Sequence, residues 1–373
     1  MQRLTLVTCL FDLAHREPTC RWPKVRDLLD HGAFVFGLDC DVVFFVEPGL
    51  AGEVAQHRRR RGLLSRTAVV SMPVEGLSAH GQLDAIVAAR RRHPLMNDET
   101  GQASPLHTAL GWAKLELVRR AIEANLFGAT HVAWIDLNLA QNARTEYVGE
   151  DEVFTRIPEP MRLLLKKPLT AAELSDRPHY LSYLWGHVSC AYMSAEVPRF
   201  ADVCEIFDQT AREAVELGYA ATADQILAEL AWRQPQRFEF HYGDERDVLG
   251  NFRRPRGAAE ILLAHLRHSR SPIGWDRAHG RRLATAILGS IGDGVLDCTP
   301  PESAVLLEEC FLAIYFADYP DQTTAREVVD LYMRRAQIDL RFREAFLDNE
   351  VRVRTNFSVL GKNAMATERN ACL

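Results

Sequence analysis

The chain has 373 residues, of which 47% are hydrophobic and 25% charged, with a formal net charge of -6. That is an ordinary globular composition with length for one large domain and something extra, and its charge gives no reason to expect nucleic acid as the partner. No stretch of ~18 apolar residues offers a membrane span. Eight cysteines are scattered without CxxC spacing in a chain too large to need staples, which points to a reducing, cytoplasmic setting. The apolar opening MQRLTLVTCLFDL is short, lacks a small-residue cleavage site and contains Asp12, so it reads as a first strand rather than a signal peptide.

Over the first 250 residues, short apolar runs alternate with helical patterns, the mark of an α/β domain with a mostly parallel sheet flanked by helices. The expected strands are LTLVTCL (4–10), VVFFV (42–46), TAVVSM (67–72), HVAWI (131–135), VSCAYM (188–193) and FEFHY (238–242). A helix over PLHTALGWAKLELVRRAIEAN shows Leu106, Leu110, Ala113, Leu117 and Ala121 at helical spacing, widened by Val118 and Ile122. Lys114 falls on that apolar face, about 40° round from Leu110 at ~100° per residue. A second helix spans about 197–217, and the basic runs at 58–61 and 90–92 read as solvated helix faces. From about 251 the texture turns to Pro, Gly, Arg and His. This divides the chain into a domain over 1–252, a basic linker or loop over 253–282, and a helical C-terminal appendage over 283–373, with TTARE opening a capped helix at 324–327. Such a tail is compatible with a homodimer.

In THVAWIDLNLAQ an apolar strand ends on Asp136, with Asn138 two positions on. Ligands of open α/β sheets bind at the carboxyl ends of strands. In an extended segment the two side chains point the same way, and both carry hard oxygens suited to Mg²⁺ or Mn²⁺. The structural alternative is a loop-capping Asp136 and an Asx-turn at Asn138. For Lys114 the alternatives are an ammonium that reaches a ligand's phosphates or a snorkelling lysine whose head finds water or a carboxylate. Thr222 and Gln225 fit a T-x-x-Q capping box, in which Asp224 would favour the helix dipole. Gly186 has the permissive φ and missing side chain that a close backbone approach requires. Asp39-Cys40-Asp41 is a second acidic pair, preceding the strand VVFFV and read as a turn. It faintly echoes the nucleophile motif of haloacid-dehalogenase-type phosphatases.

Four blocks in order, TLVTCLFDL, AKLELVRRAIEANLFGATHVAWIDLNL, GYAATADQILAEL and FHYGDERDVLGNF, resemble the HtrL/YibB-like bacterial family, which is related to GT-A type glycosyltransferases; the likeness spans about 3–252. The resemblance implies a GT-A-like, Rossmann-like fold and a transferase that moves a sugar from a nucleoside diphosphate donor, UDP-sugars favoured, to a hydroxyl acceptor. It further implies that Asp136, Asn138 and His241 hold a divalent cation, Mn²⁺ or Mg²⁺. The usual D-x-D stands here as Asp136-Leu137-Asn138, which weakens that site. Thr8, Phe11, Lys114, Gly186, His187 and Gln225 would line the donor pocket, with Asp224 as base or sugar-positioning carboxylate. Two other readings stay open: a phosphatase or nucleotidyl-handling enzyme using Asp39 and Asp41, and a non-catalytic nucleotide-sugar binder.

Overall fold

The computed structural model describes residues 3–17, 23–96, 104–143, 145, 153–169, 171–249, 259–270, 277–292, 296 and 300–318. The chain divides into two compact units, Met1–Phe252 and Arg253–Leu373. The first is built on seven strands: β1 Leu4–Leu10, β2 Asp41–Val46, β3 Thr67–Ser71, β4 His131–Ile135, β5 Met161–Leu165, β6 Val188–Glu196 and β7 Phe238–Tyr242. Their order is β3-β2-β1-β4-β6-β5-β7, and β6 alone runs against its neighbours, antiparallel to both β4 and β5. The expected α/β class with a mostly parallel sheet is therefore what the chain forms. Its inner strands are buried on both faces, which is why they read as near-continuous apolar runs.

Sequence periodicity passes over β5. In MRLLL the second residue, Arg162, is buried within the strand and donates Nη1–H to the Val153 carbonyl at 3.0 Å, so only three consecutive leucines carry the apolar signal. The basic run at 58–61 also departs from expectation, because Arg58 is fully buried rather than solvated. Its guanidinium donates to Thr67 Oγ1 and to the carbonyls of Phe36, Leu38, Cys40 and Arg66.

Helix Pro105–Ala124 starts on Ser104, whose side chain accepts the His107 N–H at the N-cap, and carries Pro105 in its first turn. It is buried more widely than one stripe: Thr108, Ala109, Gly111, Trp112, Leu115 and Glu116 are covered as well. The cause is its central position, packed against β1 and β4 on one side and against the helices Val197–Glu216 and Ala223–Arg233 on the other. Gly111 permits that approach, since a Cβ there would lie 3.3 Å from Ala223 Cβ. Trp112 Nε1 ties the same junction by donating to the Ala221 carbonyl at 3.0 Å.

The second unit contains the helices Ala259–Arg270, Arg277–Gly292 and Pro300–Asp318 among its described residues, packed through Leu262, Leu266, Leu283, Ile287 and Leu306. The stretch 253–282 is thus not a plain linker. Its residues 259–270 and 277–282 are helical, because ILLAHL supplies an apolar face between the basic residues that dominate the composition. The capped helix expected at 324–327, the appendage beyond 318 and Asn251 fall outside the described residues. No described helix is long and apolar enough to cross a membrane. Cys9, Cys40, Cys190, Cys204 and Cys310 are free thiols.

Candidate active site

Asp136 follows β4 directly and so stands at the carboxyl edge of the sheet. There it meets Lys114 of the Pro105–Ala124 helix, whose Nζ lies 2.7 Å from Oδ1 and 2.9 Å from Oδ2. The indole Nε1 of Trp134 donates to Oδ1 at 2.7 Å, and the Asp136 backbone N–H donates to the Ala191 carbonyl at 2.8 Å. A carboxylate offers about four acceptor positions, and these contacts fill three. The head of Lys114 has thus found a carboxylate, as the snorkelling reading expects. The pair is shielded, with side-chain exposures of 17% for Lys114 and 23% for Asp136. Burial disfavours the ammonium, but the field of Asp136, with a smaller contribution from Asp224, outweighs it and holds the Lys114 pKa above the ordinary lysine value.

Because β6 runs backwards, its first residues rather than its last reach this edge. Cys190 is buried there, its carbonyl and Sγ each 3.5 Å from Lys114 Nζ. Its backbone N–H donates to Asp224 Oδ1 at 3.0 Å. Burial and the Asp224 field push the Cys190 thiol pKa well above its usual value, so it stays protonated and neutral. Asp224 lies in the first turn of Ala223–Arg233. The structure therefore brings Lys114, Asp136 and Asp224 together around one backbone segment of β6.

Two residues that the sequence reading missed complete the edge. Lys166 follows β5, and its Nζ lies 2.8 Å from Oε1 of Glu245, which follows β7. Burial opposes its charge, while Asp224 and then Glu245 raise its pKa. The signal that finds Lys166 is its position as the first residue after a strand, which is lost when β5 is not recognised.

Other expected residues have different tasks. Asn138 does not share a side with Asp136 through strand alternation, because the chain turns: the Leu139 N–H donates to the Asp136 carbonyl at 3.1 Å and 3-10 geometry follows over Leu139–Gln141. His241 is buried in β7, its Nε2 3.2 Å from the Val248 carbonyl. Burial, reinforced by Arg162, lowers its pKa to about 3. β7 is three places from β4 in the sheet, about 14 Å at ~4.8 Å per strand, so His241 and Asp136 cannot grip one ion. The Asp136, Asn138 and His241 set accordingly does not fit a divalent cation, and among the described residues no three His, Cys, Asp or Glu side chains converge as metal ligands.

Gln225 is a clamp rather than a donor ligand. Its Oε1 accepts from the Thr222 N–H and hydroxyl, completing the expected capping box, while Nε2 donates to the carbonyls of Tyr180, Leu181 and Tyr183. Thr8 and Phe11 are both buried and present no open nucleotide shelf. Gly186 fits its expectation, with φ at +64° and open space where a Cβ would project. His187 is buried behind it, stacked on Trp185 and Tyr180, with Nε2 3.5 Å from Glu173 Oε2; burial lowers its pKa although Glu173 opposes the shift. Asp39 and Asp41 lie at the opposite, amino edge of the sheet, bound to Arg66 at 2.7 and 3.0 Å.

No family model matches the sequence, and no curated protein matches it. Among solved structures the chain is similar to mouse xyloside xylosyltransferase 1 in its apo form, with a TM-score of 0.36 and 12% identity over 64% of this chain and 84% of that one. At that level of likeness no residue role passes from one chain to the other.

Chemically, the carboxyl edge offers two shielded ammonium groups, a half-buried carboxylate at a helix start, and a second carboxylate that fixes one of the ammonium groups. Such preorganised charge suits a reaction in which negative charge develops on a leaving group.

Proposed function

We propose that this chain is a GT-A-like glycosyltransferase that moves a sugar from a nucleoside diphosphate, with UDP-sugars the favoured donors, to a hydroxyl acceptor. The observation that carries this reading is the Lys114–Asp136 pair at the carboxyl end of β4, joined through Cys190 to Asp224. The four sequence blocks that resemble the HtrL/YibB-like family support it, and they include Lys114, Asp136 and Asp224. The phosphatase reading loses its support, because Asp39 and Asp41 stand at the opposite edge and are held by Arg66.

In the transfer, the bond between the anomeric carbon and the diphosphate oxygen breaks, and its electron pair goes to the diphosphate. The acceptor oxygen bonds to that carbon and gives its proton to Asp224. Lys114 stabilises the charge that appears on the departing oxygen, and Asp136 orients Lys114 and offers its remaining lone pair to a donor hydroxyl. No step is assigned to a metal.

A ligand that binds the folded state raises its melting temperature, so UDP, GDP, ADP, CMP and dTDP are compared by thermal shift on the whole chain. One of the diphosphates should stabilise the protein, and Asp136→Ala should abolish that shift. Asp224→Asn should keep the shift while transfer falls by roughly 10²- to 10⁴-fold, the usual worth of a positioned base. A wild-type protein that responds to none of the diphosphates would sink the transferase reading. Undiminished shift with no turnover even in the wild type would favour the non-catalytic binder.

A further inference from the structure

We infer that Lys166 is a second cation of the donor site, so that Lys114 and Lys166, rather than a divalent ion, take up the charge of the departing diphosphate. This rests on the transferase reading above. Three observations lead to it. The acid that would anchor a metal is already engaged: Asp136 is held by Lys114 through both oxygens and by Trp134 through one. Lys166 lies at the same edge as Lys114, since β5 ends opposite the start of β6 (Leu165 pairs Val188), the segment that also carries Cys190, and the field of Asp224 reaches both ammonium groups. One ammonium comes from a helix and the other from a strand end, and both are carried on long flexible stems.

The third observation is the imbalance of the Lys166 pair. The lysine side chain is only 18% exposed, yet its partner Glu245 is 58% exposed. An ion pair with so open a carboxylate contributes little, and a largely buried ammonium is costly without a firm counter-charge. Lys166 is nonetheless kept in place by its own backbone, whose N–H donates to the His187 carbonyl at 2.6 Å. An ammonium has three donors, and a single contact to Glu245 leaves two for phosphate oxygens. Glu245 can swing into water when a diphosphate arrives; Asp136, shielded and bonded to an indole, cannot. The two lysines thus have separate duties, Lys114 fixed and Lys166 released by the ligand.

The test measures binding of UDP, GDP, ADP and dTDP, and of their nucleosides, to the full chain by calorimetry, in EDTA and in Mn²⁺. The preferred diphosphate should bind the wild type equally in both. Lys166→Met should weaken it by roughly 10- to 100-fold, the worth of one or two hydrogen bonds to a charged group, and should leave nucleoside binding and melting temperature unchanged. Lys166→Arg should restore most of the loss, and Glu245→Gln should bind at least as well as the wild type. Diphosphate binding that needs Mn²⁺ overturns the inference and leaves the transferase reading standing, whereas no diphosphate binding under either condition overturns both. Equal loss of nucleoside and diphosphate in Lys166→Met, or the same loss in Glu245→Gln, would make the pair structural.

Discussion

At the amino edge of the sheet Arg66 gathers Asp39 and Asp41, with Asp39 79% and Arg66 41% exposed; at the carboxyl edge Lys114 and Asp136 form a pair of similar length that is mostly shielded. The two edges differ less in residue types than in what converges on them. The amino edge is closed from beneath by Arg58, which collects backbone carbonyls, and Asp39 is left facing water while Asp41 is partly covered. The carboxyl edge receives the ends of β4, β5 and β7, the start of β6 and the first turn of a helix, so that charges from distant parts of the sequence share one low-dielectric space. An acid beside a strand meets charges from distant parts of the chain only where elements converge, as around Asp136 and not around Asp39.

The contrast can be broken by substitutions read for both stability and nucleotide binding. Arg58→Ala has the largest expected effect, about 3–5 kcal/mol of unfolding free energy by chemical denaturation, from a cavity and several stranded carbonyls. It should leave the nucleotide thermal shift intact; a variant that folds but no longer binds would mean the two edges are not separable. Acidification comes next. His241 has an ordinary pKa near 6.5 when unfolded and about 3 when folded, so below pH 6.5 the unfolded chain takes up a proton that the folded chain refuses. Stability therefore falls as pH drops through that window, by about 1.4 kcal/mol per unit and about 2 kcal/mol by pH 5. Burial of His187 acts in the same direction. His241→Gln should flatten the melting-temperature profile between pH 7 and 5, and an unchanged slope would remove His241 from the account. Smallest of all, Asp39→Ala should shift stability by under about 1 kcal/mol, as exposed pairs do, and Asp41→Ala by somewhat more because Asp41 is partly covered. Loss of nucleotide binding in either would return the amino edge to consideration.

Six of the seven strands were legible because β-branched and aromatic runs survive even where a strand is buried on both faces. β5 was not, since Arg162 interrupts its apolar run and only its contact to the Val153 carbonyl explains how an arginine is housed there. Lys166 was lost with it. The Thr222–Gln225 capping box was readable because both halves lie within one helical turn; the further bonds of Gln225 to the carbonyls of Tyr180, Leu181 and Tyr183 are long-range and leave no local trace. Lys114 stood out as a cation on an apolar face, which is a local anomaly. Its pairing with Asp136 did not, because 22 residues separate the two and only the fold sets the distance. Asn138 and His241 depart from expectation for two different reasons: the backbone turns rather than stays extended after Ile135, and β7 lies three places from β4 in a strand order that no periodicity reveals.

The backward course of β6 also shapes what can change without harm. The Lys166 and Lys167 N–H groups both donate to the His187 carbonyl, at 2.6 and 3.1 Å, so the two ends of the excursion over 168–186 are held together, while its interior is tied to Met96 and Gln225. Exchange within that excursion is therefore constrained at Tyr180, Leu181 and Tyr183, whose carbonyls Gln225 holds, and is freer at its two ends.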